Sequence, residues 1–260
     1  ILFFVNKNLG AANENFNDLA NSYADLVNHY YTEVSLRTQE MSIAIKTFLD
    51  EPNEDNLNYV KSKWINARTI YGITEAFRFY GGPIDGINIF GEEGPEGLIN
   101  AWPLNEAYID YVKGNPNAGI VNNPSIEINK KTIIASNMSE DDADVSTGWH
   151  AIEFLLWGQD FSLETPGNRE ASDYLPINEI NNRRRSYLLS TSSLLLEQIN
   201  WLSEEWSSKG NGRKYFLSLD DPGGAILTGI ATLAGFELSS ERIATALDSG
   251  DPEDEHSCFS

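Results

Sequence analysis

The sequence predicts an all-α protein made of helical bundles. Apolar residues recur three or four apart over long stretches, and these stretches end at clusters of Gly, Pro and Asn. Strand-like alternation is scarce throughout. The first element spans Phe16 to Phe48, with Phe16, Leu19, Tyr23, Leu26, Tyr30, Val34, Met41, Ile45 and Phe48 as its apolar stripe and no Gly or Pro to interrupt it. Unbroken, such a helix is on the order of 50 Å long. Glu51-Pro52-Asn53 stops it, and Asn53 followed by Glu54 and Asp55 caps a second helix. That helix carries Leu57, Val60, Trp64, Ala67, Tyr71, Thr74 and Phe77 up to the breaker Gly81-Gly82-Pro83. Two long helices joined by so short a turn pack antiparallel.

Residues 81 to 124 are rich in Gly, Pro and Asn, yet Ile84, Ile87, Ile89, Phe90, Trp102, Tyr108 and Tyr111 predict an ordered, packed excursion with a short helix from Leu104 to Lys113. A further short helix is expected from Ser125 to Asn137. The next should start near Asp141 to Asp144, whose carboxylates suit a helix N-terminus. Gln159 to Pro176, with Pro166-Gly167-Asn168, is the candidate linker, dividing the chain into residues 1–165 and 166–260. A helix from about Asn178 to Ser207 carries Tyr187, Leu188, Thr191, Leu195, Ile199, Leu202 and Trp206. Arg183-Arg184-Arg185 in its first turns reads as a solvated or salt-bridged face, the alternative being a specific anion or interdomain contact. The last helix runs from Pro222 or Gly223 to Leu247 and ends at Ser249-Gly250-Asp251-Pro252.

Composition narrows the function. Of 260 residues, 18 are basic and 39 acidic, and the net charge of −21 repels phosphate backbones and disfavours anionic membranes. Nucleic acid is therefore not an expected partner. With Cys258 alone there is neither an intrachain disulfide nor a thiolate-rich metal site. No apolar run approaches the roughly 18 residues that span a bilayer. The opening Ile-Leu-Phe-Phe-Val reads either as the remnant of a signal-peptide core or as a small buried start.

One segment carries more chemistry than the rest. Gly148-Trp-His150-Ala-Ile-Glu153-Phe-Leu-Leu-Trp157 sets an imidazole and a carboxylate three apart in an otherwise apolar run. On a helix both side chains reach a common third atom, and a buried carboxylate requires a partner. Either Glu153 is tied to His150 or an arginine as a structural knot, or the pair belongs to a metal or catalytic site. The His-Glu-x-x-His of common zinc peptidases is absent.

Partners are available elsewhere in the chain. Glu237 and Glu241 lie one turn apart on the last helix, Glu237 on its stripe and Glu241 with Arg242 as a surface pair. Glu255-His256 forms a second His-carboxylate doublet. Glu75 and Arg78 read as a buried ion pair or as the lining of a polar cleft with Asp85 and Glu106. Helical bundles build metal sites from such residues on facing helices. His29 is expected at the surface.

Several strings together resemble the imelysin-like family, peptidase family M75. These are Trp64…Ala67-Arg68…Tyr71…Thr74-Glu75-Ala76-Phe77-Arg78-Phe79, Asn100-Ala-Trp102-Pro-Leu-Asn-Glu106-Ala-Tyr108-Ile-Asp110-Tyr111 and Gly148 to Gly158. Gly235-Phe-Glu237-Leu-Ser-Ser-Glu241-Arg242 and Glu255-His-Ser-Cys-Phe-Ser260 continue the match, and the family's Gly-x-His-x-x-Glu signature falls on Gly148, His150 and Glu153. The resemblance implies two related helical-bundle domains, the second continuing past Ser260, with a site near their interface. It also implies a bacterial envelope protein, secreted or lipid-anchored, periplasmic or surface-exposed, and often tied to iron acquisition.

On that footing the first expectation is metal capture, Fe or Zn, with His150 and Glu153 as ligands and Glu237 or His256 completing the set, in partnership with iron-uptake membrane components. The second is a metallopeptidase acting on a peptide substrate, with Glu106 or Glu237 activating water. The third is a glycan-binding or surface-partner module with Trp102 and Tyr108 as stacking surfaces.

Overall fold

The computed structural model describes residues 2–86, 94–161, 167 and 169–250, with side chains from Asn17 onward. Among these residues the protein is all-α, without strands. Helix α1 (Leu2–Asp50) starts well before the expected Phe16. Its buried face matches the reading at Val34, Met41, Ile45 and Phe48, but in the first half it is displaced by one residue: Ala20, Ala24, Val27 and Tyr31 are buried, whereas Leu19 and Leu26 are half exposed. The alanines let α1 approach its neighbours closely, so the small residues mark the core line here. His29 is exposed as expected.

Asn53 caps α2 (Glu54–Thr74) by accepting the Asn56 N–H at 2.8 Å. Replacing Asn53 with Ala is expected to cost about 1 kcal/mol, measured by urea unfolding as a lower midpoint with unchanged slope. After Thr74 the chain tightens into a 3₁₀ turn, Glu75–Phe77. Among the described residues the excursion that follows holds single turns: α3 (Glu96–Ile99), α4 (Glu106–Ile109) and α5 (Gly119–Asn122). The helix expected over Leu104–Lys113 is thus one turn long, because Asp110 leaves helical geometry to serve a buried ion cluster. Ile87, Ile89 and Phe90 lie outside the described residues. Helix α6 (Lys130–Ser136) starts later than expected, capped by Asn129.

Helix α7 (Gly148–Trp157) begins at Gly148 and not at Asp141–Asp144. The acidic run instead makes turns, with the Asp141 carboxylate accepting the Ala143 N–H. Trp149 and Trp157 both pack edge-on against Trp64 of α2, and the Trp64 indole N–H donates to the Trp149 carbonyl at 3.1 Å. A 3₁₀ turn (Ala171–Tyr174) leads to α8 (Glu179–Trp206), which has the expected extent and is capped by Asn178. Helix α8 packs along α1 and α7, so helices on both sides of the candidate linker share one apolar cluster. The sequence reading passed over the short α9 (Asn211–Leu217).

The arginine run is not a solvated face. Arg183 donates to the carbonyls of Ile120, Val121, Asn123 and Ile126, and Arg185 to that of Tyr174. Arg184 pairs with the fully buried Asp110 at 2.6 Å. These bonds fasten the excursion to α8 and offset the unfavourable placing of cations at a helix start.

The last long helical segment begins as α10 (Pro222–Thr232), with Asp221 capping and Pro at its first turn. It widens into a π-helical stretch, Leu233–Ala244, and ends as α11 (Thr245–Ser249). No helix among the described residues is long and apolar enough to cross a membrane.

Candidate functional site

Gly148 decides where the site's central helix starts. Its φ of +81° is open to glycine, and a Cβ there would lie 2.4 Å from the Ile99 carbonyl oxygen. This close approach seats α7 directly against α3, placing His150 one turn inside the helix beside the segment Asn100–Trp102. The imidazole is almost wholly buried and its Nδ1 lies 3.1 Å from a Glu153 carboxylate oxygen. Trp102 meets it edge-on, ring centroids 4.8 Å apart. Burial holds the His150 pKa below the ordinary histidine value; the Glu153 hydrogen bond opposes this, and the nearby Arg68 and Arg242 reinforce it. Burial therefore favours the neutral ring.

His150 lies on a cleft of about 900 Å³. Arg68 of α2, Arg78 and Asp85 of the following turn, Glu96, Asn100 and Trp102 of the excursion, Asp142, and Glu237, Glu241 and Arg242 of the π-helical stretch complete its polar lining. The π geometry belongs to the site: five-residue steps keep Glu237, Glu241 and Arg242 together over the cleft. Glu237 and Glu241 are both half-buried there.

Glu75 and Arg78 do not form the expected pair. Buried Glu75 receives Arg242 at 2.9 Å and faces Arg68 at 3.8 Å, so Arg242 is tied into the site and is no surface partner of Glu241. Arg78 is held by Asp85 at 2.7 Å and Glu96 at 3.0 Å. Burial would lower the Arg78 pKa, but Glu96, Tyr71 and Asp85 outweigh it and raise it. Burial raises Glu96, aided by Asp85, Glu237 and Glu75 and opposed by Arg78. Arg68 is lowered by burial, Glu75 opposing.

Six candidates from the sequence thus meet on one cleft with His150: Arg78, Asp85, Trp102, Glu237, Glu241 and Arg242. Glu153 and Glu75 stand behind its wall as partners of lining residues. Glu106 is directed elsewhere, accepting a hydrogen bond from Gln159 at 2.5 Å. Glu255 and His256 lie outside the described residues. Arg68, Glu96, Asn100 and Asp142 were not singled out in the sequence. For Arg68 a signal existed: it occupies the buried stripe of α2, between Trp64 and Tyr71, where a cation requires a reason.

The donor set can be tested against a metal ion. A neutral imidazole whose other nitrogen is bound to a carboxylate is the usual arrangement of a metal-ligating histidine, with Nε2 left for the metal. Among the described residues, however, no group of three His, Cys, Asp or Glu side chains is arranged to hold an ion by itself. The protein offers an oriented anchor, and a bound metal would draw further ligands from elsewhere.

No curated protein matches the chain. The family model described as Imelysin, Peptidase M75, matches residues 27–260, which include every cleft residue named above. The Gly-x-His-x-x-Glu helix, its tryptophan packing and its arginine–carboxylate surroundings therefore stand in a chain that belongs to the imelysin family.

Proposed function

We propose that this imelysin-family protein captures a metal ion, iron foremost, as cargo at His150 in the bacterial cell envelope, for delivery to iron-uptake components of the membrane. The observation that carries this reading is the buried, neutral His150 held through Nδ1 by Glu153 on the wall of a large cleft. Glu153 orients the ring and raises its basicity, and desolvation keeps the ring free of a competing proton. Glu237 and Glu241 supply hard oxygen donors on the same cleft, the donor type that ferric and ferrous iron favour together with imidazole. Other coordination positions are left to oxygen atoms that travel with the cargo.

Calorimetric titration of the protein with Fe(II) and Zn(II) should show saturable binding that His150→Ala abolishes and Glu153→Gln weakens about 10- to 100-fold. Binding unaltered in His150→Ala would defeat the proposal. A peptidase reading is favoured by one observation, the placing of Glu237 and His150 on the same cleft. Chelator-sensitive cleavage of a peptide library, lost in Glu237→Gln, would support it.

A further inference from the structure

The cleft contains a second feature that a metal anchor does not explain. Arg68 and Arg242 converge on the single carboxylate of Glu75, two guanidiniums on one anion. The Arg68 side chain is only 3 % exposed, its closest approach to Glu75 is 3.8 Å, and its Nε has no hydrogen-bond partner. Its other neighbours are the face of Tyr71, over which it stacks, and Glu153, which acts on it electrostatically. A guanidinium is rarely buried with so little compensation, because each unsatisfied donor retains its desolvation cost. Arg78 shows the contrast: in the same cleft it is saturated by Asp85 and Glu96. The Trp102 indole N–H beside His150 is also buried and without a partner.

We infer that Arg68 and Arg242, with the Trp102 N–H, form an oxyanion subsite beside His150 that takes a carboxylate or phosphate group of the ligand. Guanidinium forks match planar carboxylate and tetrahedral phosphate oxygens by paired hydrogen bonds, which makes them the usual recognition element for such groups. The same cleft also carries the opposite charge, in Glu237 and Glu241 of the π-helical stretch. A bare cation in the cleft meets the arginines beside His150, and a bare anion meets the two glutamates. A metal ion carried by a polycarboxylate or phosphate chelator satisfies both kinds of charge: the chelator's free oxyanion goes to Arg68 and Arg242, and the metal to His150 and the glutamates. The chelate form of the cargo rests on the metal-capture reading above, whereas the oxyanion subsite stands on the arginines alone.

The test is calorimetry on the 260-residue chain, with citrate alone, inorganic phosphate alone, Fe(II) alone and ferric citrate as separate titrants. Citrate or phosphate should bind saturably, and ferric citrate more tightly than either component. Arg242→Gln should weaken the oxyanion titrants at least about tenfold, the loss expected for a charge-assisted paired contact, with partial recovery in Arg242→Lys. Arg37→Gln, on the exposed side of α1, serves as the control for general charge. If Fe(II) binds through His150 while neither citrate nor phosphate binds, or if Arg242→Gln binds them as the wild type does, the subsite is refuted and metal capture survives. Oxyanion binding that depends on Arg242, without any metal binding, upholds the subsite and removes the metal reading. Tighter phosphate than citrate binding assigns the subsite to phosphate-bearing ligands, and the reverse order to carboxylates.

Discussion

Asp110→Ala is expected to destabilise the protein by about 3–5 kcal/mol, the usual cost of removing one partner of a buried ion pair. Asp110 is fully buried, and its carboxylate accepts from Arg184 Nε at 2.6 Å and Nη2 at 3.1 Å while pairing with Arg169 at 3.2 Å. It also receives the Tyr111 N–H and the Asn122 side-chain amide. Without it two buried guanidiniums face one another, supported by Asp173, the Asn181 side chain and the rings of Tyr111 and Phe154. For a chain of this size each kcal/mol moves the melting temperature by about 2–4 °C, so a fall of roughly 10 °C should appear in a thermal scan. A change within about 2 °C would show that the cluster adds little to stability. The substitution tests the excursion more than the site, since Asp110 and Arg184 join residues 81–124 to α8.

The second large effect is expected from Gly148→Ala. The methyl group meets the Ile99 carbonyl oxygen at 2.4 Å and its carbon at 2.7 Å, and these are backbone atoms with nowhere to go. The positive φ adds about 1–2 kcal/mol for any residue with a Cβ, and forced repacking about 1–3 kcal/mol more. The fold should survive with a clearly lower melting temperature. Ligand binding should fall further than stability explains, because α7 must shift from α3 and carry His150 with it. Wild-type melting and binding in Gly148→Ala would contradict the view that this glycine positions the site.

Periodicity located the long helices because their buried faces repeat at helical spacing, and Asn53 marked the start of α2 by a local rule that needs no tertiary partner. The same reasoning misplaced the start of α7. Asp141–Asp144 had the composition of a helix N-terminus, but Gly148 could be recognised as the true beginning only once Ile99 was known to press against it. Exposed Leu19 and Leu26 were placed on the α1 stripe because hydrophobicity was counted, whereas the core line ran through Ala20 and Ala24, whose small side chains admit a neighbouring helix.

The site was legible in its members more than in its pairings. His150, Trp102, Arg78, Asp85, Glu237, Glu241 and Arg242 attracted notice as polar or aromatic residues in unusual local company, and the fold gathers them on one cleft. Glu106 had similar local credentials and points to Gln159 instead. Glu75 looked like the partner of Arg78, three residues away. A 3₁₀ turn intervenes, and Glu75 reaches Arg242 across 167 residues of sequence.

By itself the sequence determined the all-α class, the long helices, the Asn53 cap and the spacing that lets His150 and Glu153 meet, since all of these depend on residues within a turn or two of one another. The tertiary structure alone decided which charges are paired, which remain unsatisfied and which residues share the cleft. Electrostatic pairing is set by distance in space, and the chain brings Arg68, Glu75 and Arg242 together only after α2 and the π-helical stretch have packed.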